Sequence, residues 1–467
     1  MSQDYRKMWE KLGLNLEAHD MLLSVLGKAY QDIYLAQKNR PQGMGYFDFV
    51  MSEVHGLRIK ELLDEQAAGR KIIGAYCVFV PEEIALAADA TLVGLCSGAD
   101  FAADEVEKRL PRNTCALIKS SFGFKLGKVC PYLECADMIV GENTCDGKKK
   151  SYETLNTLVK NLYVMDLPQK KSDEGKSLLK SEYYRFKAAV EKLTGVPVTA
   201  ESLKKSIETV NSKRKAVHRL ARLRSAFSAP ISGLDALLAN HTNSLSKTVF
   251  SVKPLFRQFQ QFKRFEKPLY GLKDRSLKAN RYQVYFYDNP ARFADSVNKI
   301  CDELEKRVEK KIGVFPENTP RILLSGCPMA VPNWKLPWII ETSGAVIVGE
   351  ESCVGERGTR HLTDDSGSSV DEMMEAIVDR YFKIDCAIFT PNPDRLSHII
   401  EMFETYKADG VIHYGLQFCQ PYLMEAIPVE KALEAKNIPT LRIDTDYSME
   451  DVGQLKTRVE AFVELLK

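Results

Sequence analysis

The chain has 467 residues, 45% of them hydrophobic, and a formal net charge of +2. That length exceeds one ordinary core and predicts two or three domains, while the near-balanced charge excludes a general polyanion partner. The longest apolar runs, such as 77–80 and 345–348, are far too short to span a membrane, and the N-terminal MSQDYRKMWEKLG lacks the apolar core of a secretory signal, so a cytoplasmic protein is expected.

Residues 1–70 read as a helical N-terminal region, with heptad-like apolar spacing from Trp9 to Leu35 and a second helix over 52–67. Residues 71–168 read as a first α/β domain. Lys71-Ile-Ile-Gly-Ala-Tyr-Cys77 is its first strand, and Pro81 followed by Glu82 and Glu83 opens a helix. A strand over 91–96, an acidic helix over 100–110 and strands over 137–142 and 161–165 follow. Residues 169–310 are rich in Lys, Arg, Glu and Leu and read as a helical insert or linker. Its clearest helices are 203–224 and 295–311, with a strand or extended connector at 282–287. Residues 311–467 return to alternation, with strands at 322–327, 345–350, 386–390, 410–414 and 440–444 and an amphipathic terminal helix over 451–466. The pattern predicts an α/β protein with two doubly wound, flavodoxin- or Rossmann-like parallel sheets and helices between them.

Eleven cysteines is an odd count without the spacing of a small secreted scaffold, which in a reducing compartment points to metal ligation, catalysis or burial. Four fall in the stretch 112–150, where Cys115, Cys130 and Cys145 are evenly spaced and Cys135 lies between them. Cys145 stands where the apolar run Met138-Ile139-Val140 has ended and a helix begins, a place that favours anionic sulfur. The two α/β halves also rhyme: Cys77 with Cys327, Cys96 with Cys353, Cys115 with Cys386 and Cys145 with Cys419 follow matching elements. Ligands of open parallel sheets gather at the carboxyl ends of strands. Two such sheets facing a cleft would bring both cysteine sets together, as the two halves of an iron–sulfur site.

Other polar residues have plainer readings. His413 falls inside a strand and reads as a packed histidine; His361 is the other histidine near the supposed cleft. Lys119, Lys148, Lys149 and Lys150 read equally as charge balance for the site or as a solvated helix start. Glu82 and Glu83 suit a helix N-terminus, and no spacing supports proton delivery by Glu82 or Glu350. The basic segment 211–224 lacks interleaved aromatics, so no nucleic-acid partner is expected. No G-x-x-x-x-G-K-[ST] loop occurs, so ATP is not bound by that route. Cys135 and Cys301 read as core filler.

The segments GAYCVFVPEEIALAA, CALIKSSFG, CDGKKK, GEESC and LQFC occur in an order that resembles the 2-hydroxyacyl-CoA dehydratase superfamily in its D-component-like branch, nearest its double-cubane cluster proteins. The resemblance runs from Leu57 to Lys467. It implies a [4Fe–4S] cluster on the matching Cys115, Cys145 and Cys419 in a dehydratase subunit, a lyase acting on a 2-hydroxyacyl-CoA. The surplus thiols imply instead a double-cubane [8Fe–9S] cluster on Cys115, Cys130, Cys145, Cys353, Cys386 and Cys419, with Cys327 in reserve and Cys77 and Cys96 behind it. That branch implies a homodimeric reductase of a small molecule, fed low-potential electrons by a separate ATP-hydrolysing iron–sulfur activator. A zinc-stabilised or non-catalytic scaffold is the remaining alternative, although only Cys130 and Cys135 approach the paired spacing of zinc ligands.

Overall fold

The structure, a computed structural model, describes residues 5–95, 97–245 and 290–467. Cys96 and the expected strand at 282–287 lie outside the described residues.

Among the described residues eight strands form two sheets. The first comprises β1 (Lys71–Ala75), β2 (Ala90–Gly94), β3 (Met138–Glu142) and β4 (Leu162–Met165); the second comprises β5 (Arg321–Gly326), β6 (Val346–Glu351), β7 (Gly410–Leu416) and β8 (Thr440–Thr445). Their orders are β2-β1-β3-β4 and β6-β5-β7-β8, and every pairing is parallel. The two sheets therefore share one topology, as the matched cysteines lead one to expect. Parallel strands need crossovers and are covered on both faces, which explains why β3, β5, β6 and β7 are buried along their whole length.

The expected strand at 386–390 is not one. Cys386-Ala-Ile-Phe-Thr390 forms turns, with the Phe389 N–H donating to the Cys386 carbonyl at 3.1 Å. Its apolar side chains are buried by packing rather than by pairing: Cys386, Ile388 and Phe389 join the core around Phe79, Val80 and Ile84 of the first lobe. A short apolar run does not distinguish these two ways of being buried.

Long helices bind the lobes together. Ser172 caps Asp173–Thr194, and a capping box of Thr199 and Ser202 starts Ala200–Leu223. The Ala200–Leu223 helix packs on Pro290–Glu309, on Glu82–Ala87 of the first lobe and on Val370–Phe382 of the second. From it, Lys213 reaches Glu82 at 2.7 Å, Arg214 reaches Glu83 at 2.7 Å and Arg224 lies just past its end, 2.6 Å from Glu350. Glu83 also accepts from Tyr381 of the second lobe at 2.8 Å and from Thr363 at 3.0 Å. The acids Glu82, Glu83 and Glu350 thus serve as buried pins between elements. Among the described residues no helix is long and apolar enough to cross a membrane.

Candidate metal centre

The carboxyl ends of both sheets open on one cavity of about 1260 Å³. That exceeds the roughly 300–1,000 Å³ typical of a small-molecule pocket. Among the described residues seven thiols line it: Cys77, Cys115, Cys145, Cys327, Cys353, Cys386 and Cys419.

Local structure explains their positions. Cys77 follows β1, Cys327 follows β5 and Cys353 follows β6. Cys145 and Cys419 follow β3 and β7 and are the N-caps of the Asp146–Leu155 and Gln420–Glu434 helices. Cys115 is the N-cap of the Ala116–Leu126 helix. Three helix N-termini, one per thiol, thus meet the cavity, and the Lys148 N–H donates to Cys145 Sγ at 3.4 Å. Cys386 comes from the turn between two helices of the β6–β7 crossover, held against the first lobe by the Thr390 N–H donating to the Gln169 carbonyl at 2.9 Å.

The thiols divide into two sets, each drawn from both lobes. Cys115 and Cys419 lie close enough to shift one another's protonation, Cys327 acts on Cys419 in the same way, and Cys145 is close enough to Cys115 to feel its charge. Cys353 and Cys386 likewise shift one another's protonation, and Cys77 is close enough to Cys386 to feel its charge. Burial and thiol neighbours hold most of these groups protonated. The neighbouring Cys419 thiol and then burial push Cys115 well up, and burial pushes Cys145 up. Cys353 departs from this: the neighbouring Cys386 thiol and the Arg357 guanidinium pull it down against the effect of burial.

Cys130 is absent from the cavity, contrary to expectation. It caps the short Pro131–Cys135 helix and packs with Cys135 in the core between the first sheet and the N-terminal helices. Burial pushes its thiol up to about 11. The Ala116–Leu126 helix explains this, since its length carries the chain roughly 16 Å away from Cys115 before Cys130 is reached. Even spacing in sequence did not mean a shared face. Cys77, ranked low from sequence, and Cys327, held in reserve, both reach the cavity instead. Cys301 is buried in a helix core around Trp334.

The other candidates fall into place around this centre. His413 is buried in β7, where burial and the nearby Arg395 and Arg357 hold its imidazole neutral, pushed down to about 3. His361 does not line the cavity; burial pushes it down to about 4. Lys148 and Lys150 are at the cavity wall, with Lys148 ion-paired to Glu142, whereas Lys119 pairs with Glu107 at 3.5 Å. Two residues that sequence reasoning passed over stand beside the thiols. Arg357 donates to Cys353 Sγ at 3.5 Å, and Tyr422 places its hydroxyl 4.0 Å from Cys386 Sγ. The E-S-C-V-G-E-R spacing, which sets Arg357 one helical turn beyond Cys353, was the available signal. Among the described residues no three His, Cys, Asp or Glu side chains close on one point as a single-ion site. The thiols ring the cavity instead.

Fold and centre define a class: twin parallel-sheet lobes of one topology that share a thiol-lined cavity. Sequence comparison places the chain within that class. It belongs to the family described as 2-hydroxyglutaryl-CoA dehydratase, D-component, whose model matches residues 77–249 and 253–466. The chain is 34% identical over 419 residues to YjiM of Escherichia coli (strain K12), a protein named provisionally as a dehydratase subunit; the match covers 89% of this chain and 96% of that one. It is 25% identical to the (R)-phenyllactyl-CoA dehydratase beta subunit of Clostridium sporogenes, over 86% of this chain and 93% of that one. It is 21% identical to one subunit of the benzoyl-CoA reductase of Thauera aromatica, over 86% of this chain and 92% of that one. Its relatives are thus dehydratase and reductase subunits.

Proposed function

We propose that the chain is the cluster-bearing component of an ATP-coupled iron–sulfur reductase. On this reading six thiolates hold a double-cubane [8Fe–9S] cluster in the cavity: Cys115, Cys145 and Cys419 on one side, Cys77, Cys353 and Cys386 on the other. Such a cluster, when bound, supplies electrons at a potential low enough to reduce a small, stable molecule. The observation that carries the reading is the pair of thiol sets on one cavity, each bridging both lobes. The donor chemistry fits: thiolate is the ligand of iron–sulfur cores, and a ring of thiols suits a core of several irons better than one tetrahedral ion.

The set takes Cys77 in place of Cys130. Cys327 stands outside it, because it is only 1% exposed. The chain's own residues prepare the cavity for negative charge. Three helix N-termini and the Arg357 guanidinium face sulfur, while Ile118, Phe389 and Leu416 exclude water from the wall. Lys148 and Lys150 attract anions to the same wall. ATP is hydrolysed on a separate iron–sulfur activator that docks on this protein, which works in the cytoplasm as a homodimer.

A second reading is favoured by the relative named as a phenyllactyl-CoA dehydratase subunit. Cys115, Cys145 and Cys419 alone would hold one [4Fe–4S] cluster, and the reaction would remove water from a 2-hydroxyacyl-CoA. Iron and sulfide counts on protein purified without oxygen separate the two. About eight irons per chain supports the reductase, and about four supports the dehydratase.

A further inference from the structure

The two thiol sets receive different hydrogen-bond donors. Backbone N–H groups serve one set: Lys148 donates to Cys145 and Leu416 to Cys327. Side chains serve the other. Arg357 Nη1 donates to Cys353 Sγ at 3.5 Å, and the Tyr422 hydroxyl faces Cys386 Sγ at 4.0 Å. The same guanidinium nitrogen donates to the Tyr422 hydroxyl, which leaves the phenolic proton available to Cys386.

Both side chains are fixed in place. Arg357 Nε donates to Glu351 at 2.7 Å, and Nη2 donates to the Gly326 carbonyl at 3.3 Å. The guanidinium carbons of Arg357 and Arg395 lie 5.4 and 5.1 Å from the centre of the Tyr422 ring. Arg395 in turn donates to Glu351 at 3.1 Å. A buried, preset fork of this kind costs little reorganisation when charge arrives.

Hydrogen bonds to sulfur raise the potential of an iron–sulfur core, and charge-assisted ones are roughly twice as strong as neutral ones. We propose that Arg357 and Tyr422 act as a pair that makes the Cys77, Cys353 and Cys386 side the electron-accepting end of the cavity. The inference rests on the cluster reading above. The electron comes from an external one-electron, low-potential reductant; no bond breaks and no proton moves in that step. Both residues are positioning residues for charge on sulfur, and neither is a ligand.

The test is a potentiometric titration of anaerobically reconstituted full-length protein with titanium(III) citrate, followed by electron paramagnetic resonance, after iron and sulfide have been counted. Tyr422→Phe removes one hydroxyl and keeps the ring. It is expected to retain its iron while its first reduction moves to more negative potential. Arg357→Lys keeps the charge but cannot span Glu351, Cys353 and Tyr422 together, and is expected to move in the same direction. First reductions equal to wild type in both variants at full iron content overturn the inference. Wild-type protein that takes up no iron overturns the cluster reading itself.

Discussion

Cys115 begins a helix of the first lobe, Cys419 begins a helix of the second, and their thiols lie close enough to shift one another's protonation. Neighbouring backbone reinforces that meeting, because the Ala116 N–H donates to the Gln417 carbonyl at 3.3 Å. Two helix N-termini are thereby aimed at the same sulfur pair. Protonated thiols gain little there, whereas thiolates paired with a cation gain from both helix ends.

Cysteine variants separate the cavity from the core. Cys386→Ala and Cys419→Ala are each expected to lose roughly half or more of the bound iron, since each removes one of three thiolates from a set. Cys130→Ala is expected to keep its iron and to lose only about 1 kcal/mol of stability. Iron analysis beside urea unfolding checks both halves of this expectation.

Glu83 pins three elements, so Glu83→Gln is expected to destabilise the protein by about 3 kcal/mol, because Arg214 is left buried without its counter-charge. Burial alone would raise the Glu83 pKa, but Arg214 and Arg380 outweigh it and hold the carboxyl at about 2, below its ordinary 4.5. The ionised form is therefore favoured in the folded state. Its contribution is complete above pH 4.5 and is lost as the pH falls through about 2. Unfolding of wild type and variant across that window is expected to show the gap between them closing as acid is added.

Gly326 sits at the end of β5 with φ +131°, and a Cβ there would lie 1.9 Å from the Tyr414 carbonyl oxygen. Gly326→Ala is expected to cost about 3 kcal/mol or more, since the strain of a positive φ adds to a collision with the neighbouring strand. The cost also bears on function, because Cys327 follows directly and Arg357 donates to the Gly326 carbonyl. Thermal unfolding is expected to show the loss, and iron uptake is expected to weaken with it.

The parallel architecture was legible because buried strands and crossover helices alternate visibly from Lys71 and again from Arg321. So was the cavity in outline: cysteines just past apolar strands, such as Cys145 and Cys419, mark carboxyl ends, where open sheets bind. What spacing alone could not convey was direction. Cys130 follows a helix that leads away from the cavity, and residues 386–390 are buried by the opposite lobe rather than by strand partners. Tyr422 escaped notice because tertiary packing brings it to Cys386, whereas Arg357 stands close to Cys353 in the sequence itself. Glu82 and Glu83 read as helix-start acids until the insert helix supplied their cations.

Crystals grown without oxygen and measured at the iron absorption edge address the central claim directly. The account predicts one continuous anomalous feature in the cavity, in contact with Cys115, Cys145 and Cys419 on one side and with Cys77, Cys353 and Cys386 on the other. Iron confined to one thiol set, or found beside Cys130 and Cys135, would contradict it.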